Sequence, residues 1–203
     1  WISQPSAIDG TVWPHFDAFA AAVAETGRGA EVVPDLTYVG SVAREFRIAL
    51  DSPAIPAVVI SHSKPFGGYY HRVGGVLARR EHPSLFGNKW FKNLLSLGWG
   101  TEMMRRHGVF DLPRRYRPVQ EEAARRVAAL LGVDGLAAAD VLLLGIAAPA
   151  PDLPPLLAHV LRGSESERVV RLCLTPAMTC LIDPAMAPAT EPGLRSAWDR
   201  IAR

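Results

Sequence analysis

Lysine is scarce in this chain: Lys64, Lys89 and Lys92 are the only three among 22 lysines and arginines. Lys64 stands in Ser61-His62-Ser63-Lys64-Pro65-Phe66-Gly67-Gly68-Tyr69-Tyr70-His71-Arg72-Val73-Gly74, directly after the apolar run of residues 57–60. An amine on a flexible stem can condense with a carbonyl or take up a proton. A hydroxyl and a guanidinium suit a phosphate, the second through paired charge-assisted hydrogen bonds. Glycines let a backbone pass close to a ligand. A second polar pair, Asp35 and Tyr38, follows the apolar run of residues 30–33. Each feature also has a plainer reading. Lys64 alone could be a surface lysine in a glycine-rich turn, and Asp35 alone could cap a helix.

The elements that must position these residues follow from periodicity. Phe16, Phe19, Ala20, Val23 and Ala24 recur at helical spacing, and Gly27 and Gly29 stop the run. Val42, Ala43, Phe46, Ile48 and Ala49 suggest another helix ending near Pro53. Residues 30–33, 57–60 and 73–77 read as short strands. Short apolar strands alternating with helices predict a mostly parallel sheet covered on both faces. Ligands of such sheets sit outside the carboxyl ends of the strands, where Asp35, Tyr38, Ser61, Ser63 and Lys64 fall.

From Ser84 the texture changes. Residues 85–107 read as a helix weakened by Gly87, Gly98 and Gly100, and residues 118–131 as an amphipathic one. A strand over 141–147, a Pro-rich turn, a helix over 155–161, a strand over 169–174 and a last helix over 192–202 make a second, smaller α/β unit. The predicted boundary divides residues 1–108 from 109–203.

The lysine segment resembles the cofactor loop of the aspartate-aminotransferase-like, fold-type-I pyridoxal-phosphate enzymes. That loop carries a Ser, a Ser or Ala before the lysine, a Gly three residues after it and an Arg eight after it, as Gly67 and Arg72 follow Lys64. Asp35-Leu36-Thr37-Tyr38 resembles the Asp-x-x-Tyr element of the same enzymes. The resemblance implies a Schiff base between Lys64 and pyridoxal 5'-phosphate, with Lys64 as the catalytic base. It implies Asp35 against the pyridine nitrogen, Tyr38 on the phenolic oxygen, and Ser61, Ser63 and Arg72 on the phosphate. Val169-Val170-Arg171-Leu172 resembles the strand that presents the substrate-carboxylate arginine, here Arg171; the alternative is an edge-strand arginine facing water. One departure stands out: Ala7, in Gln4-Pro5-Ser6-Ala7-Ile8-Asp9-Gly10, takes the place of the family's Asn-Pro-Thr-Gly asparagine.

The activity implied is transfer of an amino group between an amino acid and a 2-oxo acid, in a homodimer when intact. Decarboxylation, elimination or racemisation by the same residues is the close alternative. A non-catalytic binding or regulatory descendant is the distant one, and Ala7 favours it slightly. The resemblance covers only the latter part of the family's fold, lacking the glycine-rich phosphate turn and the stacking aromatic ring. It implies a partial polypeptide that binds the cofactor weakly or not at all by itself, the intact protein being the enzyme.

Bulk properties narrow the classes. With 49% hydrophobic and 21% charged residues the chain is an ordinary globular one. A net charge of +2 gives no reason to expect nucleic acid or an anionic membrane as partner. The paired arginines, such as Arg125-Arg126, read as solvated helix faces. Prolines break the most apolar stretch, so it does not read as a membrane span. Cys173 and Cys180 suggest neither a metal site nor a disulfide scaffold, and a cytoplasmic setting is expected. The histidines show no metal spacing. Tyr69 and Tyr70 are candidates for lining or packing, and the distinctive Gly87-Asn88-Lys89-Trp90-Phe91-Lys92-Asn93 suggests no chemistry.

Overall fold

The computed structural model describes residues 1–89, 92–149, 160–162 and 168–186, leaving aside the side chains of residues 69, 88, 89 and 162. The chain separates into two compact units: residues 1–7 with 11–114, and residues 8–10 with 115–203.

The first unit is built on a four-stranded sheet in the order β1 (Ile2–Ser3), β2 (Pro34–Asp35), β3 (Ala57–Ser61) and β4 (Gly74–Ala78). β1, β2 and β3 are parallel, whereas β4 runs antiparallel to β3 with Val59 opposite Val76 and Ser61 opposite Gly74. The sheet is therefore mostly parallel, as expected, and is mixed only through β4. The reason is local: residues 62–73 hold only a short 3-10 turn (Tyr69–His71). A parallel return is usually carried by a helix, and this connection has none.

Helix α1 (Phe16–Glu25) buries Phe16 and Ala20 on the expected face, and Gly27 ends it in the left-handed region at φ 61°. These residues pack with Val32, Leu36, Ile55 and Val58 into the unit's core. The run of residues 30–33 feeds β2: Val32 N–H donates to Ala54 O at 2.8 Å, and Val33 O accepts from Ile2 N–H at 3.1 Å.

The helix expected over residues 42–49 does not form. Of its proposed apolar face only Val42 is fully buried. Distant partners hold this segment: Ala49 N–H donates to Asp17 Oδ1 at 2.9 Å, and Arg114 pairs with Glu45. Arg79, exposed after β4 rather than on a helix, donates from Nε to Ile55 O at 2.9 Å. The helix expected over 85–107 is shorter, α2 (Leu94–Arg106), because Asn93 caps it by accepting from Ser96 N–H at 3.1 Å. The 3-10 turn Pro83–Lys89 precedes it.

Helix α3 (Asp111–Leu131) starts two turns before the expected residue 118, and Pro118 lies within it. In the second unit Ala123 and Ala124 of this helix pack on Ala177, Met178 and Cys180 of α4 (Thr175–Ile182). The second sheet runs β5 (Ala137–Ala138), β6 (Leu144–Ala147), β8 (Val169–Cys173), β7 (Leu161–Arg162), with every pairing antiparallel. The sequence pattern did not suggest α4. The helices expected over 155–161 and 192–202 fall wholly or largely outside the described residues, although Leu161 is in β7.

Buried Gln120 fastens α3 to the loop before β6: its Nε2 donates to Val141 O at 2.9 Å and Leu144 O at 2.8 Å. Gln120→Leu removes these bonds, leaving each carbonyl only its backbone donor (Leu144 N–H on Val141 O, Ala139 N–H on Leu144 O), and is expected to destabilise the chain by about 1–2 kcal/mol. Denaturant unfolding reads this as a lower midpoint at unchanged m. Arg125 lies exposed on the helix surface, whereas the Arg126 side chain is half-buried. Hydrogen bonds from both guanidinium groups hold the Glu122 carboxyl at a pKa of about 2.

Candidate active site

β3 is apolar through Ile60 and then turns polar, so the chain leaves the sheet with Ser61, Ser63 and Lys64 at the carboxyl end of a strand whose neighbour is parallel. The Ser61 hydroxyl accepts from Ser63 N–H at 3.2 Å, which folds the exit back on itself. Ser61, Ser63, Lys64 and Arg72 all line one cleft of about 760 Å³, and Thr37 joins them from the segment after β2. Lys64 is half-buried, and its Nζ lies 6.0 Å from the centroid of the Tyr38 ring. Asp35, paired in register with Val59 of β3, accepts on Oδ1 from both the amide (3.0 Å) and the hydroxyl of Thr37.

Two observations bear on what this cleft could hold. Ser63 is only 5% exposed, and its Oγ has no hydrogen-bond partner among the described residues. Such a buried hydroxyl costs about 1–3 kcal/mol unless something bonds it. Arg72 adopts the left-handed conformation at φ 50°, the one non-glycine residue to do so among the described residues. A side chain there costs on the order of 1 kcal/mol or more, and such strain clusters at ligand-holding sites. The cation and hydroxyls that a phosphate needs are therefore present, one of them strained and one unsatisfied.

The turn that holds Arg72 is clamped by α2. The ring of His71 stacks on Trp99 at 4.6 Å and 9°, and a Cβ on Gly68 would come within 1.9 Å of the Trp99 ring. Only glycine fits at position 68. On the other side, His62 N–H donates to Val73 O at 2.9 Å, and partial burial pushes the His62 imidazole below its ordinary pKa. Gly68→Ala is expected to cost about 1–3 kcal/mol by overpacking. The same variant should loosen retention of any ligand held by Arg72, read by equilibrium dialysis against pyridoxal phosphate.

Arg171 lies in the second unit, on β8, opposite Ile146 of β6. β7 pairs with Val169 and Val170 only, so β6 is the described neighbour of β8 at Arg171; the Arg171 side chain is half-buried, with its Nε buried and without a hydrogen-bond partner among the described residues. A buried Nε without a partner is compatible with an anion at the guanidinium, and the half-exposed side chain equally with the edge-strand alternative. Tyr70 is 92% exposed and does not line the cleft. In the loop after β1, buried Gln4 brackets the Trp13 backbone with bonds of 2.7 and 3.0 Å. Ala7, further along, has only a methyl to offer. Sequence reasoning missed Thr37, Lys92, Asn93 and Ser96, all of which line the cleft. Thr37 was readable from its place between Asp35 and Tyr38, and Lys92 from the scarcity of lysine.

Among the described residues no helix is long and apolar enough to cross a membrane. No cluster of three or more potential metal ligands occurs among them either.

No family sequence model and no curated protein sequence matches the chain. Solved structures do match it. A probable N-succinyldiaminopimelate aminotransferase from Thermus thermophilus superposes with a TM-score of 0.66 at 19% identity, over 98% of this chain and 56% of its own. The aspartate aminotransferase of Thermus thermophilus, solved with maleate, gives 0.59 at 16% identity, over 100% and 55%. The L-threonine-O-3-phosphate decarboxylase of Porphyromonas gingivalis gives 0.57 at 18% identity, over 93% and 64%. The chain spans a little over half the length of these aminotransferases, and over that span it has the aminotransferase fold.

Proposed function

We propose that the protein acts as a pyridoxal-phosphate-dependent aminotransferase, moving an amino group between an amino acid and a 2-oxo acid at Lys64. The observation that carries this reading is the cleft at the end of β3, where Lys64 sits beside the unsatisfied Ser63 hydroxyl and the strained Arg72. The aminotransferase-like fold supports it independently. Pyridoxal phosphate, when bound, supplies an aldehyde for the Lys64 amine and a ring that takes up electrons from the substrate's α-carbon.

The chain's own residues do the rest. Ser61, Ser63 and Arg72 hold the phosphate, the last by charge-assisted bonds. Asp35, anchored through one oxygen by Thr37, keeps a proton on the pyridine nitrogen. The Tyr38 hydroxyl bonds the ring's phenolic oxygen. Lys64 Nζ removes the proton from the α-carbon and returns it elsewhere, which is general acid–base work by a positioned amine. Arg171 takes the substrate carboxylate, and a homodimer is the assembly this reading implies.

The same residues would serve decarboxylation, and the likeness to the decarboxylase favours that as the second reading. A single-turnover experiment separates the two. The cofactor-loaded protein is mixed with an amino acid, and the products are followed by absorbance and mass spectrometry. Accumulation of pyridoxamine phosphate with the 2-oxo acid supports transamination. Release of carbon dioxide with unaltered pyridoxal phosphate would replace it with the lyase reading. Loss of neither group would leave a binding module.

A further inference from the structure

Helix α2 meets the cofactor loop through one face. Ser96, Trp99 and Gly100 stand at the spacing of three and four that aligns residues along a helix, and Ser96 and Gly100 are buried. The two surfaces interlock through a pair of glycines. The Trp99 ring lies within 1.9 Å of where a Cβ on Gly68 would fall, and Val73 Cγ1 lies 3.0 Å from where a Cβ on Gly100 would fall. The His71 imidazole stacks on the Trp99 indole, 4.6 Å away and within 9° of parallel. Gly68 and His71 are the two ends of one turn, since His71 N–H donates to Gly68 O at 3.0 Å. Trp99 touches both ends.

Arg72 sits between these contacts. His71 before it is stacked on Trp99, and Val73 after it is buried against Gly100, with its carbonyl accepting from His62 N–H at 2.9 Å. With both neighbours fixed, the backbone at Arg72 is kept at φ 50° and ψ 52°. That conformation is unfavourable for a residue with a Cβ and persists only where the surroundings over-determine it. Arg72 is exposed and lines the cleft, so burial of its own side chain does not account for the strain. What the strain fixes is the direction in which the guanidinium leaves the backbone.

We propose that Trp99 is a positioning residue for the cofactor phosphate: by gripping Gly68 and His71 it keeps Arg72 left-handed and its guanidinium aimed into the cleft. Trp99 does not itself line the cleft, so it acts on the ligand through Arg72. A planar guanidinium binds phosphate by paired, directional bonds, and its aim matters more than that of a point charge. The inference rests on the reading above in which Arg72 holds the phosphate of pyridoxal phosphate.

The test measures binding of pyridoxal phosphate and of unphosphorylated pyridoxal to the full-length protein by equilibrium dialysis. Trp99→Leu is expected to weaken pyridoxal phosphate about 10-fold, because binding must then restore the left-handed turn, and to leave pyridoxal unchanged. Trp99→Phe keeps a flat ring over His71 and should recover most of the loss. His71→Leu removes the stack from the loop side and should act like Trp99→Leu, so it carries the test if the helix variant does not fold. The deciding comparison is made in Arg72→Met, which lacks the guanidinium. There neither substitution should weaken binding further, because residues that act through one group are not additive. Equal weakening of both aldehydes, or the same loss with and without the guanidinium, makes the stack a purely structural contact and overturns the proposal. So does unchanged affinity for pyridoxal phosphate. Wild type that binds both aldehydes alike, or neither, sinks instead the assignment of a cofactor phosphate to Arg72.

Discussion

Lys64→Ala is expected to abolish the visible absorbance of the lysine-bound cofactor and to lower turnover on the order of 10⁴-fold. Two separate duties end with this one amine: the covalent hold on the aldehyde and the movement of the α-proton. No other residue can take both over. Of the other lysines, Lys89 precedes α2 in the 3-10 turn, and Lys92 lines the cleft from the start of α2 rather than from the strand end. Lys64 is half-buried beside the Tyr38 ring, so its truncation removes little packing and the fold should hold. Circular dichroism and the denaturant midpoint are the controls. Lys64→Arg keeps the charge, yet a guanidinium stays protonated and can do neither duty. It should fail as completely as alanine, whereas a purely electrostatic role for Lys64 would spare it.

Asp35→Asn is expected to lower turnover about 10²- to 10³-fold, with the cofactor still bound. The geometry makes this substitution selective. Oδ1 of Asp35 is occupied by the amide and hydroxyl of Thr37, which an asparagine oxygen can accept equally well. The change therefore falls on the second oxygen, which becomes an amide donor. A donor cannot share a ring nitrogen that carries its own proton, so the electron sink is weakened. Single-turnover rates measure the loss, and the cofactor's absorbance confirms its retention. Thr37→Val, which removes only the anchor, should cost less. An Asp35→Asn variant with wild-type rates would mean that Asp35 merely shapes the turn after β2.

Much of the site was legible because its residues are adjacent in sequence and sit where apolar runs stop. β3 ends where Ser61 begins, and helix α1 shows its buried Phe16 and Ala20 at a spacing of four. What stayed hidden depends on long-range contact. The segment over 42–49 has a passable helical pattern, but its backbone goes to Asp17 and its charges to Arg114. The antiparallel return of β4 goes with a connection that holds no α-helix, which strand periodicity alone does not reveal. Gly68 reads as a flexible turn residue, yet it is glycine because Trp99 lies against it, 31 positions away. Lys92 was noticed as part of a distinctive stretch, and only the folding of α2 beside the cleft places it on the lining.

The central claim is that one amine, at Lys64, carries the cofactor. Incubating the full-length protein with pyridoxal phosphate, reducing it with borohydride and mapping the modified peptide by mass spectrometry tests this directly. Peptide mapping tells Lys64 from Lys89 and Lys92, the other two lysines of this sequence. The account predicts a reduced pyridoxyl phosphate adduct on Lys64, formed stoichiometrically and absent in Lys64→Ala. An adduct on Lys89 or Lys92 instead, or none at all, would contradict it.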